Sequence, residues 1–210
     1  RQRQMCIRDS GETVLCNTGI VNTPLSVGRD RIYWTEYRQS TFWEQRGFSE
    51  LCWYDLRTGR KGVDPEMRNV MFPVAVPDGS LAAVEYNPDG TYTIVHGQNR
   101  WTLPRTVTVH GLAWEPTSAK LYFIGLGNEG MWIGSVEEGR EGFDEVTRPA
   151  YVTLADLSAG DGALYFKSIA SGKDEAHMYD LSGGKQYRIT TSRYGSFDPS
   201  PLGGGVVMTT

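Results

Sequence analysis

Few side chains in this sequence stand at spacings that chemistry requires. Glu36 and Glu85 each fall four residues beyond an apolar anchor, Ile32 and Leu81. Carboxylates at one level of neighbouring structural units could form an acidic patch, hold a cation, or divide into the acid and base of glycoside hydrolysis. The competing reading is a pair of solvated strand-end charges, and the sequence favours it, because nothing around either side chain argues for the desolvation that shifts a pKa. His96, His110 and His177 lie on or beside separate apolar segments, with no Cys or carboxylate at metal-ligand spacing. They read as edge or loop residues. No Gly-x-Ser-x-Gly elbow occurs, and no glycine cluster sits between a strand and a helix to cradle phosphate. Asn87-Pro88-Asp89-Gly90-Thr91 lacks the alternating oxygen ligands and the distal Glu of a calcium loop, which leaves a hairpin turn. No catalytic residue, metal site or cofactor is assigned.

The richest segment is a long hairpin between Tyr33 and Trp53. Its aromatic residues Tyr33, Trp34, Tyr37, Phe42, Trp43, Phe48 and Trp53 are interleaved with Glu36, Arg38, Glu44 and Arg46. The connecting loop, about residues 38–50, accounts for most of the extra length of that unit. Loops on rigid scaffolds concentrate binding residues, and aromatics with Arg are preferred interface anchors. Tyr37, Arg38, Phe42, Trp43, Glu44 and Arg46 are therefore the candidate contacts for a protein or peptide partner. The alternative is a loop that folds back over its own sheet.

The elements that must position these residues recur. Short strand-like runs begin at Ile32, Leu81, Leu121, Leu164 and Val206, at steps of 49, 40, 43 and 42 residues. Each follows a turn with explicit chemistry: Gly28-Arg29-Asp30, Pro77-Asp78-Gly79-Ser80, Glu115-Pro116-Thr117-Ser118, Gly160-Asp161-Gly162 and Gly203-Gly204-Gly205. Gly supplies positive φ, and Pro or Asp initiates the bend. A short segment precedes each turn; a third strand follows the first four recurring ones, and a weaker fourth is visible in three units, at residues 100–103, 143–146 and 186–190. Four short antiparallel strands per unit of 40 to 50 residues define a β-propeller blade. The fold expectation is all-β: an incomplete propeller of about four four-stranded antiparallel blades plus part of a further blade. A blade covers both faces against its neighbours, so Tyr33-Trp34, Tyr122-Phe123 and Tyr165-Phe166 are expected to pack between blades.

Composition bounds the function classes. The 210 residues include 21 Lys and Arg against 25 Asp and Glu, a net charge of -4, and no run gathers the basic residues that a nucleic-acid backbone requires. No apolar stretch approaches the roughly 20 residues of a membrane-spanning helix. The first ten residues, Arg1 to Ser10, have neither a helical nor a strand period and resemble translated sequencing adapter, so they are set apart as non-native. Residues 11–210 are taken as the propeller, and the β-branched run at Val206-Val207-Met208 reads as a strand cut within a domain. Both ends thus lead us to expect a piece of a longer chain. Cys16 and Cys52 remain, each among β-forming residues where a buried free thiol is the simpler expectation than a bridge.

The repeats also resemble a known family. His177-Met178-Tyr179-Asp180-Leu181 runs through Gly183-Gly184 to Arg188-Ile189-Thr190 and then to Phe197-Asp198-Pro199-Ser200-Pro201. This is similar to the TolB-like, WD40-like (PD40) repeat of bacterial propellers. Val76-Pro77-Asp78-Gly79-Ser80 matches its turn, and Trp53-Tyr54-Asp55-Leu56 its third strand. Leu202-Gly203-Gly204-Gly205 and Trp114-Glu115-Pro116-Thr117-Ser118 are departures in which Asp-Gly is lost. The resemblance implies a periplasmic or secreted bacterial protein, acting as a non-catalytic platform for a protein or peptide partner or for another module of its chain. The alternatives it implies are the propeller gate of a prolyl-oligopeptidase-like peptidase and, more weakly, a carbohydrate-active propeller using Glu36 and Glu85.

Overall fold

A computed structural model describes residues 13–21, 23–42 and 47–209. None of them is helical; they form five antiparallel sheets in chain order. The first contains β1 (Ile20–Val21), β2 (Ser26–Gly28), β3 (Arg31–Gln39), β4 (Gly47–Asp55) and β5 (Arg60–Arg68). Both β1 and β2 pair with the same edge of β3, so together they are one inner strand interrupted around Pro24. The second sheet runs β6 (Val70–Ala75), β7 (Leu81–Tyr86), β8 (Tyr92–His96), β9 (Asn99–Thr102). The third runs β10 (Thr108–Glu115), β11 (Lys120–Gly127), β12 (Gly130–Val136), β13 (Asp144–Glu145). The fourth is β14 (Leu154–Gly160), β15 (Ala163–Ser168), β16 (Glu175–Asp180), β17 (Lys185–Arg188), and β18 (Phe197–Leu202) pairs with β19 (Gly205–Thr209) in the fifth. Each sheet is a meander in sequence order, and the inner strands β2, β6, β10, β14 and β18 are successive neighbours. This is the expected fan: four blades and two strands of a fifth.

Turn chemistry explains the punctuation. The carboxylate of Asp55, closing β4, accepts the amides of Arg57 and Thr58 at 3.1 and 2.7 Å. Asp180, closing β16, accepts that of Ser182 at 2.9 Å. The Asp of the recurrent Tyr-Asp-Leu motif is thus an Asx turn that starts the last hairpin of its blade. Asp161-Gly162 and Gly203-Gly204 are two-residue connections with φ values of 54°, 74°, 54° and 79°, the left-handed pair that matches strand twist. The departed copy after Trp114 keeps its turn by substitution. Fully buried Glu115 accepts the amides of Thr117 and Ser118 at 3.1 and 2.6 Å, and Ala119 holds the positive φ of 53°.

The core lies between blades. Consecutive residues of β11 part company: Leu121 and Phe123 bury against the second blade with Val84 and Ile94, whereas Tyr122 and Ile124 bury against the fourth with Leu164 and Phe166. Leu51, Val70, Ala83 and Val95 join the first blade to the second. Period-two alternation of side chains therefore places apolar groups on both faces, as expected for Tyr122-Phe123, whereas Trp34 packs against Lys61 and Glu36 of its own blade.

Candidate functional site

Inner strands carry an irregularity that their sequence does not advertise. In the second, fourth and fifth sheets two inner-strand residues oppose one on the neighbour: Phe72-Pro73, Asp156-Leu157 and Asp198-Pro199. The first of each pair has a left-handed φ, 52°, 55° and 50°. Such β-bulges bend a strand and re-aim its side chains. At Phe72 the bulge sets an aromatic ring where it lines both an axial cavity of about 340 Å³, shared with Pro24, Leu25 and Trp114, and a groove between the first two blades.

That groove, about 320 Å³, is lined by Tyr37, Phe48, Met71, Phe72 and Tyr86 with a few small polar side chains. Its floor is a backbone seam between blades: Asn69 N donates to Ser49 O and Tyr86 N to Asn69 O, each at 2.8 Å, and the Ser49 hydroxyl donates to Val70 O. Asn69 takes the left-handed φ of 55° that this exchange needs, which suits Asn. Tyr37 and Tyr86 stand at the rim, 41% and 46% exposed. The Tyr37 ring lies over Gly47, where any Cβ would overlap its hydroxyl. A side chain at position 47 would have to push the Tyr37 ring aside.

The expected partner-binding residues are distributed unevenly about this groove. Strand pairing continues to Gln39↔Gly47, so the connection is residues 40–46, shorter than the loop of about 38–50 expected from sequence. Tyr37 faces the groove. Phe42 is 89% exposed on the connection. Arg38 is turned onto its own sheet, 2.9 Å from Glu36 and 3.2 Å from Glu50. Trp43, Glu44 and Arg46 lie outside the described residues. Phe48, Met71, Phe72 and Tyr86 were not among the expected contacts, since three of them come from the second blade and only the bulge and the seam bring them to the hairpin.

Glu36 corrects one expectation outright. It is fully buried instead of solvated, accepting from Lys61 Nζ at 2.7 Å and Trp34 Nε1 at 2.9 Å. Burial alone would push its pKa up. The bonds from Lys61, Trp34 and the Gly19 amide outweigh that and hold it at about 2. Lys61 also reaches Asn17 O at 2.9 Å and lies over the Trp34 ring, so this carboxylate fastens the segment ahead of β1 to the blade. Glu85 occupies the matching register position in β7 but is ion-paired with Arg100. Each carboxylate is thus engaged by a cation of its own blade. A group held ionised to about pH 2 is the reverse of a general acid.

Two of the three histidines also differ from expectation; His110, exposed on the edge strand β10, does not. His96 and His177 are buried within β8 and β16, not at edges; His96 bonds the Ser80 hydroxyl at 2.6 Å and packs against Trp114, while His177 bonds Gln186 and stacks on Phe166. Burial lowers the His177 pKa and favours the neutral ring. Among the described residues no group of three or more His, Cys, Asp or Glu could hold a metal ion. Cys16 and Cys52 are free thiols, and burial raises that of Cys52 to about 11. Asn87 to Thr91 is a hairpin turn, with Asn87 N donating to Thr91 O at 2.9 Å.

Radial four-stranded meanders, inner strands around an axial cavity and cores between sheets together define a β-propeller. Comparison with solved structures refines the class. The chain is similar to TolB from Acinetobacter baumannii at 12% identity and a TM-score of 0.65, over 92% of this chain and 52% of that one. It is similar to an oligogalacturonate lyase solved with manganese at 16% identity and a TM-score of 0.59, over 85% and 56% of the two chains. A puromycin-hydrolyzing peptidase of Mycobacterium tuberculosis aligns at 13% identity and a TM-score of 0.59, over 84% of this chain and 30% of that one. The fold is that of the TolB-like propellers. The chain spans about half the length of the TolB and lyase structures and under a third of the peptidase. No family model matches the sequence, and no curated protein does. No helix among the described residues is long and apolar enough to cross a membrane.

Proposed function

We propose that residues 11–210 are a non-catalytic propeller platform of a bacterial envelope or secreted protein, and that the groove between the first and second blades receives a short extended segment of a protein or peptide partner. The single observation that carries this reading is an apolar groove rimmed by exposed Tyr37 and Tyr86 and floored by a backbone seam between blades. Rigid aromatic anchors around a preformed apolar slot are what peptide recognition uses, since little entropy is lost in ordering them. None of the residues described as lining the slot carries a charge, so the groove favours an apolar segment with few charges.

Selection of displayed peptides against the immobilised protein tests this. The expected result is enrichment of sequences with apolar or aromatic anchors, whose binding weakens about tenfold or more in Tyr37→Ala and Tyr86→Ala while circular dichroism stays unchanged. Absence of enrichment, or selected peptides indifferent to both substitutions, overturns the proposal.

A further inference from the structure

The groove between the first two blades discriminates among the ways a peptide can bind. An extended segment can add to a sheet by pairing its backbone with a free strand edge. That mode has little to hold here. β3 and β7 are flanked by strands on both sides, and at β4 the Ser49 carbonyl is already taken by the Asn69 amide. β6 keeps a free inner edge, but the Phe72-Pro73 bulge interrupts it and Pro73 has no amide to offer. An amphipathic helix needs a trough long enough for anchors spread over two turns. About 320 Å³ is instead at the low end for a small-molecule pocket.

What the slot does offer is aromatic faces and neutral hydrogen-bonding groups. Tyr37, Phe48, Phe72 and Tyr86 supply the faces. Tyr92 meets Tyr86 edge-on, with ring centroids 5.4 Å apart, and steadies that rim. The hydroxyls of Tyr37 and Tyr86 and the carboxamide of Asn69 make no hydrogen bond among the described residues. Charge and hydrogen bonding therefore select alike: the slot suits an uncharged segment whose backbone presents acceptors and few donors. A proline-rich segment has that chemistry, because each proline carries a carbonyl and no amide, and its polyproline II helix has no internal hydrogen bonds. Its pyrrolidine rings give the tyrosines apolar surface, and the helix is formed before it binds, so little entropy is lost.

We propose that the occupant of the groove is a proline-rich segment in the polyproline II conformation. Its rings are seated against Tyr37, Phe72 and Tyr86, and its carbonyls accept from the two tyrosine hydroxyls and from Asn69 Nδ2. The inference rests on the reading of the groove as a binding slot and names the class of segment that fills it.

Fluorescence anisotropy of labelled decaproline, of a decamer with alanine at alternate positions, and of peptides selected by display on the protein tests this. The expected result is saturable decaproline binding, about tenfold or more tighter than that of the alanine-substituted decamer. It should weaken about tenfold or more in Tyr37→Ala and in Tyr86→Ala, and about fivefold in Asn69→Gly, the equivalent of one hydrogen bond. Glycine accepts the left-handed φ of 55° at position 69, so an unchanged melting temperature in Asn69→Gly separates lost binding from lost folding. No decaproline binding, alongside selected apolar peptides that still depend on both tyrosines, overturns the proline assignment and leaves the groove reading standing. Decaproline bound equally well by the tyrosine variants overturns it too, and failure of every peptide to bind removes both.

Discussion

At residue scale the most consequential group is Glu36. Its folded pKa of about 2 lies below its ordinary 4.5, so the stability it contributes is complete above about pH 4.5. It is lost as pH falls through the interval down to 2, because the unfolded chain takes up the proton first. The amount is on the order of 3 kcal/mol, the free-energy equivalent of that displacement. Acid titration of urea stability should show this loss, and Glu36→Gln should flatten it while costing about 2 kcal/mol at neutral pH, since Lys61 is left without its partner. An acid profile unchanged by the substitution would show that the network is not coupled to folding. A second residue-scale expectation concerns Ala119, which occupies the left-handed region where the repeat pattern has Gly. Ala119→Gly should raise stability by up to about 1 kcal/mol, read as an upward shift in melting temperature.

At the scale of elements, the repeat of turns and strands was legible because Gly, Pro and Asp announce reversals locally. Asp55 and Asp180 show why: their carboxylates cap amides two and three residues on, so the signal and its structural cause lie within four residues. The groove was not legible for the opposite reason. Tyr37 and Tyr86 stand 49 residues apart in sequence, and they share a rim only through the bulge at Phe72 and the seam at Asn69, for which Phe-Pro and Arg-Asn give no distinctive pattern. Glu36 was misread because a strand-end carboxylate looks solvated until Lys61, 25 residues away, is known to reach it. Two predictions belong here. Gly47→Ala should displace the Tyr37 ring, lowering peptide capture without unfolding the blade, as amide spectra would show. Glu115 also accepts the amide of Gly162 at 3.1 Å, joining the third blade to the fourth. Glu115→Ala should therefore cost about 2 kcal/mol or more, with hydrogen exchange accelerated in both β10 and β14; acceleration confined to the turn would limit its role to one blade.

For the whole molecule, stability should be graded by how many neighbours a blade has. The third blade is covered on both sides, and every residue of β12 is buried. In the first and fifth sheets, by contrast, Ile20, Leu25, Val27, Leu202 and Val207 are each more than half exposed. Hydrogen exchange should be slowest in β11 and β12 and fastest in β1, β2 and β19. The exposed apolar faces should also promote self-association, seen as concentration-dependent sedimentation and reduced by Val27→Ser with Val207→Ser. A single species across concentrations would contradict this.

Because Phe123 and Ile124 belong to different interfaces, β11 cannot finish burying itself until the ribosome has released residues well past Phe166. Synthesis proceeds from one end, so the nascent fan passes through stages in which its newest sheet is wet along one entire side. Each such stage offers a template for wrong pairing with another emerging chain. A pause in translation once β13 has left the exit tunnel, with the third blade made and the fourth not yet released, is where a chaperone would have most to shield.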